Sequence, residues 1–104
     1  MTKVTVHSGQ CGFSVVITAE KRKDGTVGLS LDTECEMINN MEKDITGLGM
    51  MSFLAGPLNN PVYRAAAKHL KHVACPVVSG ILKAVEVEAG CAVPKDVHIV
   101  FSKD

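Results

Sequence analysis

The sequence predicts an α+β domain: a three-stranded antiparallel meander, then three helices packed on one face of it, then a short C-terminal strand. Two observations carry this prediction. Apolar and polar side chains alternate up to Leu31 as they do in strands, and from Thr33 onward apolar side chains recur at helical spacing. Strand and helix segments are segregated along the chain, which favours an antiparallel sheet with helices over alternating βαβ units. The length fits a single domain, residues 1–104.

Three segments show strand alternation, and the turns between them fit a meander. The segments are Lys3–His7, Phe13–Glu20 and Thr26–Leu31. Asp24-Gly25, between the second and third segments, is a strong hairpin signal because both residues tolerate the backbone angles of a tight turn. In the second segment, the alternation places one set of side chains on a common face: Phe13, Val15, Ile17 and Ala19.

Capping residues mark the starts of three helices. Thr33 followed by Glu36 forms the capping-box pattern and predicts the first helix. Asn60-Pro61 places a cap before a proline at the first helical position and predicts the second. Cys75-Pro76 repeats that arrangement and predicts a third helix, which Gly90 ends.

Two further apolar segments lack a helical period. Leu48–Leu54 is rich in methionine, and two interpretations stay open for it. It is either an adaptable surface for a partner or a homodimer, or a lid packed into the core. Val97–Phe101 is predicted to be a short strand that pairs at the edge of the sheet.

Composition argues against several classes of function. Lys plus Arg and Asp plus Glu both number 11, so a net charge of zero gives no general attraction to nucleic acid or to membranes. The first residues lack a basic-then-apolar secretory signal, and no apolar run has the length of a membrane span. We therefore expect a cytoplasmic protein. In that compartment the four cysteines indicate metal binding, thiol chemistry or buried packing rather than disulfides.

Three of the cysteines are predicted to lie where elements begin or end. Cys11 is in the loop between the first two strands, Cys35 in the first turn of the first helix, and Cys75 at the N-cap of the last helix. Helix N-termini carry free N–H groups that favour thiolates, the form that ligates metals. A meander brings Cys11 and Cys35 to the same edge of the sheet, and the last helix is able to bring Cys75 there. Cys91 follows Gly90 at the far end of that helix, and we expect it to be a small apolar filler.

A zinc site of this kind needs a fourth ligand, and His72 is the first candidate. It lies three residues before Cys75, close enough for both to reach one ion if the chain turns between helices. The alternative is a surface histidine near a helix C-terminus. The remaining candidates for this position are His7, Asp32, Glu34 and His69. The cysteines also have an alternative, because free cysteines often pack as small hydrophobic side chains and no CxxC pair is present.

The pattern resembles the U-type iron–sulfur cluster scaffold proteins, the IscU and N-terminal NifU fold. The matching segments are Cys11-Gly12-Phe13, Asp32-Thr33-Glu34-Cys35 and the stretch from Cys75-Pro76 to Val85. The resemblance implies a SufE/NifU-like fold in which Cys11, Cys35 and Cys75 bind zinc or a nascent [2Fe–2S] cluster. It also implies, as partners, a sulfur donor or an iron–sulfur client protein. Phe13 and Ala74 stand where those scaffolds have an acidic residue and a histidine.

The whole chain also resembles members of a small uncharacterised family from anaerobic prokaryotes, a resemblance that implies no function. We expect a small metal- or iron–sulfur-binding protein, a scaffold or carrier rather than an enzyme. Nothing in the sequence resembles a nucleophile elbow or a phosphate-cradling loop. Two alternatives stay open: a thiol or persulfide carrier, and an interaction module whose cysteines are structural.

Overall fold

The computed structural model describes residues 1–45 and 47–103, and it confirms the predicted α+β layout. Its sheet has three strands, β1 (Thr2–His7), β2 (Ser14–Lys21) and β3 (Val27–Asp32). The strands lie in the order β1-β2-β3, and both neighbouring pairs are antiparallel. This is the meander that the two turns predicted.

Alternation in β2 places Val15, Ile17 and Ala19 on the buried face, and none of the three has any exposed surface. The expectation that Phe13 shares this face is wrong. Phe13 precedes the first residue of β2 and is 39% exposed. The reason is Gly12, whose φ of +76° lies in the left-handed region and ends the preceding turn, so that Phe13 is not part of the alternating strand.

Helices follow the sheet and cover its buried face. They are α1 (Glu36–Glu42), α2 (Met50–Phe53), α3 (Pro61–His69) and α4 (Val77–Glu88). The predicted capping box of α1 does not form. Cys35 is the N-cap residue, and the Thr33 hydroxyl accepts a hydrogen bond from the Cys35 N–H at 3.1 Å. The helix therefore begins one residue after Cys35, because Thr33 closes a turn ahead of it.

The predicted cap of α3 is confirmed, and it joins two helices. Asn60 is only 1% exposed, and its Oδ1 accepts from the Val62 N–H at 2.9 Å. Its Nδ2 donates to the carbonyl oxygens of Phe53 at 2.9 Å and Ala55 at 3.1 Å. One side chain thus caps α3 and satisfies the carbonyls at the end of α2.

The last helix begins one residue later than expected and ends where expected. Pro76 is its N-cap residue, so Cys75 lies just outside the helix. At the other end Gly90 adopts a φ of +82°, and the Cys91 N–H donates to the Glu86 carbonyl at 2.8 Å. This is the hydrogen bond of a Schellman C-terminus, which needs a left-handed residue and so favours glycine.

Contacts at both ends of α4 show that it runs antiparallel to β1. Near its start, a Cβ on Gly80 would lie 2.5 Å from Val6 Cγ2, so this turn of the helix touches the sheet. At its last residue, the Glu88 carboxylate accepts from the Thr2 hydroxyl at 2.7 Å and from the Lys21 N–H at 2.9 Å. The helix therefore begins where β1 ends and ends where β1 begins.

The Leu48–Leu54 segment divides its apolar side chains between core and surface. Leu48 exchanges two backbone hydrogen bonds with Val27, and Phe53 is 3% exposed. Other side chains of the segment are exposed, and Met51 reaches 91%. Leu48 and Phe53 therefore pack in the core, as the lid interpretation expects, and the partner surface stays a prediction for the exposed Met50, Met51 and Leu54.

The predicted C-terminal strand is wrong. Residues 92–103, here called the C-terminal arm, have no regular secondary structure, and all of them are exposed. A strand is held by hydrogen bonds to a neighbouring strand. Within the described residues none joins the arm to the rest of the chain. Elsewhere, no described helix combines the length and the apolar character that crossing a membrane requires.

Replacing Asn60 tests the joint between α2 and α3. Asn60→Ala removes the cap and leaves the carbonyls of Phe53 and Ala55 without their donor, so we expect a loss of about 2–3 kcal/mol in unfolding free energy. Chemical denaturation measures it. The matched control is the neighbouring exposed Asn59→Ala, expected to change stability by less than about 0.5 kcal/mol. Equal effects of the two variants would contradict the structural role of Asn60.

Replacing Glu88 tests the attachment of α4 to the sheet. The Lys21 N–H and the Thr2 hydroxyl hold the pKa of Glu88 below its usual range. A depressed carboxyl pKa contributes stability above the ordinary pKa and loses it as pH falls through the folded-state pKa. Glu88→Gln is therefore expected to be less stable than wild type at neutral pH, with the difference shrinking under acidic conditions. Denaturation midpoints from pH 7 to pH 3 measure this, with Glu86→Gln as control. A pH-independent difference would contradict the role.

Candidate functional site

Three of the four cysteines lie at one end of the sheet. At this end His7 of β1 pairs with Ser14 of β2, and Asp32 of β3 pairs with Val16. Cys11 lies in the turn that joins β1 to β2, and Cys35 lies three residues beyond the end of β3. The contact between Gly80 and Val6 places the start of α4 at the same end, with Cys75 just before it. We call this region the cysteine end of the sheet.

The three thiols lie at different depths. Cys35 is 7% exposed and packs in the hydrophobic core. Cys75 is half-buried against that core, and Cys11 is exposed. Cys11 belongs to a three-residue 3-10 turn bounded by two left-handed glycines, Gly9 and Gly12. The three thiols at this end of the sheet therefore range from buried through half-buried to exposed.

The side chains are not arranged as a preformed metal site. Within residues 1–45 and 47–103, no three His, Cys, Asp or Glu side chains lie close enough together to hold an ion. Cys11, Cys35, Cys75 and His72 thus belong to one region without forming a coordination shell there. A shared metal site stays a prediction, and it requires these side chains to come closer together than they lie in this structure.

His72 lies in the connection between α3 and α4. The Cys75 N–H donates to the His72 carbonyl oxygen at 3.3 Å, so the chain turns between the two residues. That turn is what a shared ion would require of this pair. The His72 side chain is exposed, and this is also what the alternative interpretation, a surface histidine, predicts.

Two of the remaining fourth-ligand candidates have hydrogen-bond partners. His7 Nδ1 lies 2.8 Å from Ser14 Oγ at the cysteine end of the sheet. His69 Nε2 lies 2.6 Å from Asp44 Oδ2, and this hydrogen bond lowers the pKa of Asp44. Because Asp44 follows α1, the pair joins the ends of α1 and α3 and has a structural role. Asp32 and Glu34 are exposed.

Cys91 lies apart from the other cysteines, as predicted from the length of α4. It follows Gly90 at the end of the helix that Cys75 precedes. The expectation that it packs as a small apolar filler is wrong, because Cys91 is exposed. The Schellman turn carries it away from the core, which leaves a surface thiol remote from the cysteine end of the sheet.

The sequence interpretation missed an open groove between the C-terminal arm and the body of the protein. Its volume is about 1420 Å³. It is lined by β1, the end of α3, the α3–α4 connection, the outer side of α4 and the arm itself. Cys75 and His72 lie on its wall. The only sequence signal for the groove was the strand-like Val97–Phe101, which was assigned to the sheet of the same chain.

A family of unknown function, DUF6951, matches residues 2–101, so the chain belongs to this family. No curated protein and no solved structure matches the chain significantly.

The differing depths of the thiols predict their order of alkylation. Cys11 and Cys91 are expected to react first with iodoacetamide, Cys75 more slowly, and Cys35 slowest, because reaction requires access to the sulfur. Peptide mass spectrometry over a time course measures the four rates. The control is the chain unfolded in urea, where the rates should converge. A Cys35 rate equal to that of Cys11 in the folded chain would contradict the buried position.

Proposed function

We propose that this member of the DUF6951 family is a small metal- or iron–sulfur-binding protein with Cys11, Cys35 and Cys75 as its thiolate ligands. The observation that supports the proposal is the presence of three free cysteines at one end of the sheet. The resemblance of the same three segments to the U-type scaffolds, in element order and cysteine spacing, also supports it.

The depth of the thiols suggests how an ion is held. Cys35 is part of the core and Cys75 packs against it, so in this proposal these two thiols are the ligands held by the core. Cys11 approaches from the surface turn, where Gly9 and Gly12 tolerate a wide range of backbone angles. Three thiolates complete three positions of a tetrahedral zinc site, and His72 or an exchangeable ligand takes the fourth.

An exchangeable fourth position suits a scaffold or carrier, whereas a closed one suits a structural ion. We favour the carrier, acting in the cytoplasm without enzymatic activity, because Cys11 and His72 both lie at the surface. Its partners would be a sulfur donor or an iron–sulfur client protein. Free cysteines are typical of proteins in a reducing compartment.

Metal titration of single cysteine variants tests the proposal. We expect the wild type to bind one zinc ion per chain, and Cys11→Ser to weaken binding by at least about tenfold, since one of three thiolate ligands is lost. Cys91→Ser is the matched control, another exposed cysteine at the opposite end of α4, and should bind as the wild type does. Cys11→Ser is the main variant because Cys11 is exposed and its substitution leaves the core intact, whereas a substitution of the buried Cys35 would disturb the core.

Alkylation in the presence of zinc identifies the ligands directly. Bound metal should protect Cys11, Cys35 and Cys75 from iodoacetamide, while Cys91 continues to react. Anaerobic reconstitution with iron and sulfide, followed by visible absorption, separates a cluster from a zinc ion. Wild-type affinity in Cys11→Ser, or equal protection of Cys91, would overturn the proposal.

The exposed outer face of α2 favours a second candidate, an interaction module whose cysteines are structural. Met50 is 53% exposed, Met51 91% and Leu54 54%, and methionines adapt to varied partner surfaces. Under this candidate the cysteine variants leave metal content unchanged. The thiol or persulfide carrier would instead show a thiolate that reacts near neutral pH without metal at Cys35 or Cys75, the cysteines next to helix starts.

A further inference from the structure

The C-terminal arm carries a run of strand-forming side chains that are mostly exposed. The run Val97-His98-Ile99-Val100-Phe101 contains three β-branched residues and one aromatic residue, all of high strand propensity. Its apolar members are 58–93% exposed: Val97 58%, Ile99 75%, Val100 84% and Phe101 93%. Contiguous apolar surface of this kind marks an interaction segment.

The sheet offers a matching acceptor, the outer edge of β1. Because β1 is the first strand in the order β1-β2-β3, only one of its two edges is paired within the described residues. The strand has six residues, no proline and alternating burial, with Val4 and Val6 partly buried and Lys3 and Thr5 exposed. A regular edge of this length is a template for an added strand.

The arm runs beside that edge without reaching it. The arm leaves the end of α4 after Gly90, close to the start of β1, because Glu88 of α4 contacts Thr2 there. All six residues of β1 and arm residues 92–100 line the same groove of about 1420 Å³. The free edge of β1 and the arm therefore share one open groove.

We propose that the groove holds the arm of a second copy, so that two chains form a homodimer by exchanging their C-terminal arms. A partner's arm that enters antiparallel to β1 pairs with β1 on one side and with the resident arm on the other. A two-fold axis between the two arms then makes every neighbouring pair of strands antiparallel, from β3 of one copy to β3 of the other. The exchange is reciprocal, as a closed two-fold dimer requires.

The unpaired state of the arm favours a second copy over closure within one chain. Within the described residues the arm makes no hydrogen bond to β1, although arm residues 92–100 and all of β1 line the same groove. Exchange supplies an antiparallel partner for the free edge of β1, which is the more stable kind of strand pairing. It also covers the apolar side chains that are exposed in the single chain.

Molar mass by light scattering tests the proposal, with Ile99→Pro as the main variant. The wild type is expected to be a dimer, and Ile99→Pro to raise its dissociation constant by at least about tenfold, because proline removes a ladder donor from each arm. Ile99→Val keeps the strand and is the matched control. Met51→Lys alters the exposed face of α2 and should leave the dimer intact.

Backbone hydrogen exchange of the wild type gives a second, independent readout. In the exchanged dimer, amides of residues 97–101 are slow to exchange at high protein concentration and become fast on dilution. A monomeric wild type, a dimer with a freely exchanging arm, or protection that does not change with concentration would each overturn the proposal. The last result would mean closure within one chain, and loss of the dimer in Met51→Lys alone would mean an interface on α2.

Discussion

The close approach of α4 to the sheet at Gly80 is the constraint on which the rest of the structure depends. A Cβ at this position would lie 2.5 Å from Val6 Cγ2 and 3.1 Å from Ile17 Cδ1, so only glycine allows the present distance between helix and sheet. Glycine inside a helix costs about 1 kcal/mol relative to alanine. Burial of the neighbouring Val77, Ile81 and Val85, none of which has exposed surface, offsets that cost.

The position of α4 determines what lies at each end of the sheet. Its start brings Cys75 to the end where β1 and β3 finish, beside the segments that carry Cys11 and Cys35. Its last residue, Glu88, holds the start of β1 and the end of β2 through two hydrogen bonds. The helix thus separates a thiol-rich end from an end where the chain leaves the core, and the groove proposed for the partner's arm reaches the thiol-rich end at Cys75 and His72.

The cysteines and the arm differ in how binding would change the free energy of the chain. At the cysteine end, a buried thiol and an exposed thiol belong to neighbouring segments, and metal binding would have to supply the free energy that draws them together. In the arm, apolar side chains are exposed beside a free strand edge, so association would remove a cost that the single chain carries. The cysteine end therefore leads to the hypothesis of a bound ion, and the exposed arm leads to the hypothesis of a second copy of the chain.

Sequence by itself determined the order of the three strands and of α1, α3 and α4, the Asp24-Gly25 turn, the Asn60 cap and the end of α4 at Gly90. These features are local, since alternation, capping and left-handed turns depend on a few adjacent residues. Tertiary structure alone decided that Cys35 is buried while Cys11 is exposed, and that Val97–Phe101 lies unpaired. Burial and strand pairing depend on contacts between distant segments, which no local pattern specifies.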